Sequence, residues 1–189
     1  MIIIEIILIM NNFFKSGLIR VEIEVIRFLD QFNRKVTGLP TLSTSQITSN
    51  LFVGGQYKIS VFEKIKSLGI TAIVNMRTVS VHLGKDIPGI SYLHLPTPDR
   101  QAPSMEHLEQ GVKFIQSSID NGGKVYIHCK AGEGRGPTMA AAYLIHSGLN
   151  LNDALETIRK ARRFIRPTTS QINQLKRYEA RTNHKNNLP

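Results

Sequence analysis

Four short runs of apolar, β-branched or aromatic residues, LFV (51–53), TAIVNM (71–76), SYLHL (91–95) and KVYIHC (124–129), alternate with segments of helical periodicity. Val61 to Leu68 repeats at helical spacing and stops at Gly69, and Met105 to Ile119 follows Ser104 and stops at Asn121-Gly122-Gly123. Parallel strands need a crossover between them, and a helix is the usual one. The pattern therefore predicts an α/β fold: a mostly parallel central sheet of about four to five strands flanked by helices. Sites in such sheets lie beyond the C-terminal ends of the strands. The loop after Cys129 occupies that position.

The rest of the chain carries helical patterns. Thr138 to His146, Asn152 to Arg163 and Ser170 to Arg181 read as helices, with Asn150 or Asn152 and Thr169 or Ser170 as N-caps. At the other end two periods compete. Ile19, Val21, Ile23 and Val25 alternate as in a strand, whereas Leu18, Val21, Val25, Phe28 and Phe32 share one helical face; length favours the helix. The first ten residues, MIIIEIILIM, are apolar at nine positions but fall short of the ~20 needed to span a bilayer. They read as a buried strand or helix start, as an extension upstream of a start at Met10, or as a peripheral membrane contact. Turn residues crowd positions 37–50. The expected organisation is an N-terminal apolar segment, helix and linker over 1–46, a main domain over 47–181, and a flexible tail over 182–189.

The site expectation starts from composition. Cys129 is the single cysteine, which excludes an intramolecular disulfide and a multi-cysteine zinc centre. The net charge of +10 favours phosphorylated, anionic-lipid or nucleic-acid partners. Nine of the basic residues lie in 151–189 against three acids. There Arg159, Arg162, Arg163 and Arg166 lie opposite Leu151, Leu155, Ile158 and Ile165, as a solvated face does. Exposed aromatics do not interleave with them, so nucleic acid is the weaker reading.

The loop itself is His128-Cys129-Lys130-Ala131-Gly132-Glu133-Gly134-Arg135, leaving an apolar strand and entering a helix that opens with Pro137 and Thr138. Glycines let backbone N–H groups turn inward as an anion nest, and the helix N-terminus adds a positive dipole end. Arg135 can grip two phosphate oxygens with its planar fork, and the same positive field favours the thiolate of Cys129. Residues 130–135 are thus the candidate phosphate-binding residues: Lys130, Ala131, Gly132, Glu133, Gly134 and Arg135. Expelling an alkoxide or phenoxide calls for a general acid. Asp99, in a loop bounded by Pro96, Pro98 and Pro103, is the candidate, with Asp86 second. His128 is read as a strand-end residue that organises the loop, and His82, His94, His107 and His146 as structural.

HCKAGEGR resembles the His-Cys-x5-Arg signature of the cysteine-dependent protein tyrosine phosphatases, and its late position resembles the dual-specificity branch. The similarity runs from about Ile47 to Tyr178 through ITSNLFVGGQ, TAIVNMR and PTPDRQAPSMEHLEQGVKFI. CKAG, MAAAYLI and RPTTSQINQL look most like the mitochondrial-type tyrosine phosphatase-like enzymes, some of which act on a phospholipid head group. The resemblance implies a dual-specificity phosphatase-like fold over 47–181, preceded here by an extra N-terminal helical segment. It implies that Cys129 attacks phosphorus to form a phosphocysteine while Asp99 protonates the leaving oxygen and later activates water. It implies no metal or other cofactor, and gives Gln171 as a water-positioning residue, a polar helix-start role being the alternative.

This chain departs from the family in one place. Gly136 follows the signature arginine where Ser or Thr is usual, so either Thr138 substitutes or the phosphoenzyme hydrolyses slowly. Lys130 suits highly charged head groups, whereas the Glu133 carboxylate repels a second phosphate and suits a singly phosphorylated substrate. The expected function is removal of phosphate from phosphotyrosine and phosphoserine or phosphothreonine of proteins. The alternatives are a lipid phosphate phosphatase, acting on phosphatidylglycerophosphate or a phosphoinositide, an RNA 5′-phosphatase, and a phosphate-binding module without turnover. The expected partners are a phosphorylated protein and, through the apolar N-terminus and basic helices, an anionic membrane surface; the expected location is cytoplasmic, with the membrane periphery as the alternative.

Overall fold

The strand that runs into Cys129 lies inside a parallel sheet. In this computed structural model, which describes residues 2–79 and 88–186 with side chains at 17–79 and 88–184, four strands form one sheet: β1 (Leu51–Gly54), β2 (Ile70–Asn75), β3 (Ser91–His94) and β4 (Lys124–His128). Their order is β1-β4-β2-β3, and every pairing is parallel. β4 therefore has a neighbour on each side, with Tyr126 opposite both Phe52 and Ile73. It is buried from Val125 to His128, which is why its sequence reads as a continuous apolar run and not as an alternation.

Helices α1 (Ile2–Thr37), α2 (Phe62–Ser67), α3 (Met105–Asp120), α4 (Arg135–His146), α5 (Leu151–Ala161) and α6 (Thr169–Asn186) complete the described fold. One core gathers Val53, Val74, Ile127 and the inner sides of α3 to α6; the other, on the opposite face, gathers Phe52, Ile73, Tyr126 and Ile65. α4 is the central helix, buried from Arg135 to Ile145 and touching α3, α5 and α6. Its Ala140-Ala141-Ala142 stretch lets those neighbours pack close.

The element boundaries differ from the sequence reading at several ends, and α5 stops at Ala161, so Arg162, Arg163 and Arg166 lie beyond it. α4 starts at Arg135, ahead of Pro137, because a proline within the first turn gives up an N–H that has no helical partner there. α6 is capped by Thr168, not by Thr169 or Ser170: Thr168 Oγ1 accepts from the Gln171 N–H at 3.4 Å and Gln171 Oε1 accepts from the Thr168 N–H at 2.9 Å, a reciprocal capping box. α6 also continues to Asn186, past Arg181. Asn150 caps α5, its Oδ1 accepting from the Asp153 N–H at 2.9 Å.

The N-terminal segment is helical throughout, so length outweighs strand alternation over Leu18 to Phe32. The face that packs on the domain is the polar one. Asp30 is buried and Arg27, Gln31 and Arg34 are half-buried, whereas Leu18, Val21, Val25, Phe28 and Phe32 point outward.

Candidate active site

The site is built on the turn from β4 into α4. Cys129 is buried to 3% exposure, and its Sγ accepts the Gly132 N–H at 3.2 Å. Gly132 stands at φ 72°, and a Cβ there would lie 2.4 Å from the Gly54 carbonyl carbon. The loop can press its backbone onto the end of β1 only because that residue is glycine.

Arg135, the first residue of α4, is buried and turns toward the loop after β3. It donates from Nη1 to the Thr97 carbonyl at 2.8 Å and pairs through Nη2 with Asp99 Oδ1 at 2.7 Å. Asp99 itself is 70% exposed. Its neighbour Arg100 holds φ 62°, a left-handed conformation uncommon outside glycine, and the Arg100 carbonyl accepts from Thr168 Oγ1 at 3.0 Å. The Gln101 carbonyl accepts from Gln171 Nε2 at 2.9 Å. The proline-bounded loop is thus tied to the signature arginine on one side and to the start of α6 on the other.

Cys129, Arg135, Asp99 and Gln171 line one cleft of about 480 Å³ together with Lys130, Ala131, Glu133 and Gly134. His128 lies apart from it. Its ring faces the second core, 5.4 Å from the Tyr57 ring centre and 6.0 Å from that of Tyr126, as strand alternation requires of a residue next to Cys129. Burial pushes the phenols of Tyr57 and Tyr126 up, so both stay protonated, and Tyr126 donates to the Gly55 carbonyl at 2.6 Å. The Thr138 hydroxyl donates to the Gly134 carbonyl at 2.9 Å and closes the first turn of α4. Gly136 has room beside it: a Cβ there would meet Val53, the Ile127 carbonyl and the Cys129 nitrogen at 3.5–3.8 Å, ordinary contact distances. Asp86 and His82 lie outside the described residues.

The loop also has supports that the sequence reading did not find. Arg162 belongs to the supposed solvated stripe, yet it is fully buried. Its Nε donates to the Gly132 carbonyl at 2.7 Å, Nη1 to the Thr44 carbonyl at 3.0 Å, and Nη2 to the Ala131 carbonyl at 2.9 Å and to Asp30 Oδ2 at 3.1 Å. Its guanidinium also stacks 4.3 Å over the Phe164 ring. From α1, Arg34 donates to the Lys130 carbonyl at 2.8 Å. Three consecutive loop carbonyls, at 130, 131 and 132, are thereby held by two arginines whose cationic heads form the stronger kind of hydrogen bond. Arg163 and Arg166 are likewise not free charges, since they pair with Glu22 and Glu24 of α1. Periodicity carries no signal for any of this, because the partners lie 30 to 142 residues apart in the chain.

Glu133 is partnered too. Its Oε1 accepts from Arg27 Nε and from Gln31 Nε2, each at 3.0 Å. The Glu133 carboxylate, with Glu24 second, holds the Arg27 guanidinium above its ordinary value. The expected repulsion of a second phosphate by Glu133 is therefore largely offset by Arg27 beside it.

Residues 51–181 match the family described as dual specificity phosphatase, catalytic domain. The chain belongs to that family. It is 33% identical over 138 residues to dual specificity protein phosphatase 1 of Mus musculus, a match covering 71% of this chain and 37% of the relative's length. Dual specificity phosphatase 28 of Homo sapiens is 29% identical over 136 residues, covering 71% of this chain and 76% of that protein. Among solved structures, human DUSP28 superposes with a TM-score of 0.68 at 26% identity, covering 75% of this chain and 99% of that one. PTPMT1 in complex with PI(5)P superposes with a TM-score of 0.67 at 25% identity, covering 75% and 97%. The sequence resemblance and the four-stranded parallel fold agree with this membership, which puts the chain in the dual-specificity branch of the cysteine-dependent phosphatases.

Proposed function

We propose that the protein hydrolyses phosphomonoesters of phosphotyrosine and of phosphoserine or phosphothreonine in proteins, through a phosphocysteine at Cys129. The observation that carries this reading is the meeting of Cys129, Arg135 and Asp99 in one cleft, with the loop N–H of Gly132 on Sγ and Arg135 bonded to Asp99. Arg135 and the loop N–H groups hold the phosphate oxygens while the Cys129 thiolate attacks phosphorus in line. The P–O bond to the leaving group breaks, and Asp99 gives its proton to the departing oxygen. Water then attacks the phosphocysteine, the P–S bond breaks, Asp99 takes a proton from that water, and inorganic phosphate leaves. With Gly136 after the arginine and the Thr138 hydroxyl bonded to Gly134, no hydroxyl of these two residues serves the departing thiolate, and the second step is the slower one.

One observation favours a lipid phosphate as the second reading. Arg27, Arg100, Lys130, Arg135 and Arg166 all line the cleft, and Glu133 is occupied by Arg27 and Gln31, which suits a head group of high negative charge. PTPMT1, solved with PI(5)P, is a neighbour in fold.

The test is hydrolysis of a small aryl phosphate by the wild type, Cys129→Ser and Asp99→Asn. We expect Cys129→Ser to fall to background and Asp99→Asn to lose about 10²- to 10⁴-fold in kcat. A wild type without turnover moves the reading to a binding module. A stopped-flow burst that disappears in Gly136→Ser supports the slow second step, and linear wild-type progress curves overturn it. Relative rates on phosphotyrosine peptides and on phosphatidylglycerophosphate vesicles decide between protein and lipid.

A further inference from the structure

Among the described residues, the outward face of α1 from Leu18 to Phe32 has no partner within the fold. Leu18, Val21, Val25, Phe28, Leu29 and Phe32 are each half or more exposed, with Leu18 at 70% and Phe28 at 65%. At 100° per residue they occupy an arc roughly 100° wide that contains no charged residue. Singly exposed apolar side chains are ordinary, but a continuous strip marks an interaction surface. The helix cannot roll to bury this strip, because its other side is committed. Asp30 holds Arg162, Arg27 holds Glu133 and Arg34 holds the Lys130 carbonyl. Whatever covers the strip comes from outside the described residues.

We propose that this strip is a docking surface for an anionic membrane, with α1 lying in the plane of the interface. Two observations choose a bilayer over a second copy of the chain. The first is sequence: residues 1–10 are apolar at nine positions, far more than one heptad seam supplies. A two-stranded pairing buries a single seam per helix, whereas a lipid interface takes apolar residues of any register.

The second is charge. Arg20 sits in the same hollow as Val21, Val25 and Phe28, and Lys35 and Lys58 line a groove with Phe28 and Phe32. All three basic residues are exposed and carry no ion pair among the described residues. The acids flanking the strip, Glu22 and Glu24, are taken by Arg163 and Arg166. A strip edged by unpaired cations is what anionic head groups attract. Docking also has a spatial result. Gln31 lines both the Phe28–Phe32 groove and the catalytic cleft, so a docked α1 brings the cleft to the lipid surface.

The inference does not depend on turnover, and its test reads binding. The full chain is sedimented with phosphatidylcholine vesicles that contain or lack phosphatidylglycerol. We expect capture only by the anionic vesicles, and capture about tenfold or more weaker for Val21→Glu/Val25→Glu, since each glutamate removes a buried apolar contact. Aryl phosphate hydrolysis and melting temperature stay at wild-type values in that variant. Because the chain has no tryptophan, Phe28→Trp supplies a single reporter whose emission shifts to the blue on addition of the anionic vesicles. No capture of the wild type, or no shift of the reporter, overturns the proposal. So does a wild-type dimer by light scattering that Val21→Glu/Val25→Glu dissociates without any vesicle binding, which assigns the strip to a second copy.

Discussion

α1 braces the loop after β4 directly and α5 does so through Arg162 at its C-terminal cap, yet the two helices are attached in opposite ways. α5 buries Leu151, Ala154, Leu155 and Ile158 against the core and turns Arg159 and Lys160 to water. α1 does the reverse: Asp30 is buried, Arg27, Gln31 and Arg34 face the loop, and Leu18 through Phe32 leave their apolar strip outside. Amphipathic periodicity thus identifies a helix without identifying which side meets the domain. That is decided by what the domain offers. Beside α5 it offers an apolar core, and beside α1 it offers loop carbonyls, Glu133 and the buried guanidinium of Arg162, which only polar groups can satisfy.

The comparison is broken most severely at Asp30. Asp30→Ala leaves Arg162 buried without its counter-ion, and we expect a loss of about 3–5 kcal/mol, read as a shift in urea midpoint, with turnover falling as the loop carbonyls lose a fixed donor. Next comes the apolar side of α5. Ile158, fully buried, should cost about 2–5 kcal/mol when cut to alanine, while Phe28→Ser on the outer face of α1 should stay within about 0.5 kcal/mol. Equal costs at Ile158 and Phe28 would mean that the strip is covered within the fold.

The mildest change is acid. Hydrogen bonds from Arg166 and then Arg27 hold the Glu24 carboxyl below its ordinary value of 4.5. A depressed carboxyl adds stability that is complete above its unfolded value and is lost as the pH falls through its lowered native value. Amide protection factors in α1, corrected for intrinsic exchange, should therefore hold down to about pH 4.5 and fall below it, ahead of those in α5, which is anchored by its buried apolar side.

What the sequence shows and what it withholds divide along the same line. The strands are legible because their β-branched runs are buried on both faces, and the loop is legible because cysteine, glycines and arginine stand close together in the chain. Asp99 is legible as a residue type in a proline-bounded loop, and the fold carries it to Arg135. Arg162 is not legible. Among Arg159, Arg163 and Arg166 it looks like one more solvated charge, and its buried partner lies 132 residues away. Glu133 is only half legible for the same reason: its charge is visible in the sequence, but the Arg27 that offsets it is 106 residues distant.

The bond between Arg135 and Asp99 has a consequence for timing. On the proposed mechanism, a phosphate would reach the Arg135 fork by exchanging places with the Asp99 carboxylate at Nη2. Arrival of the anion and release of Asp99 would then be one event, and the freed carboxylate would take up the proton it later gives to the leaving oxygen only once a phosphoryl group is in place. Two side chains and a single swap of partners would then order the reaction, recognition coming before chemistry.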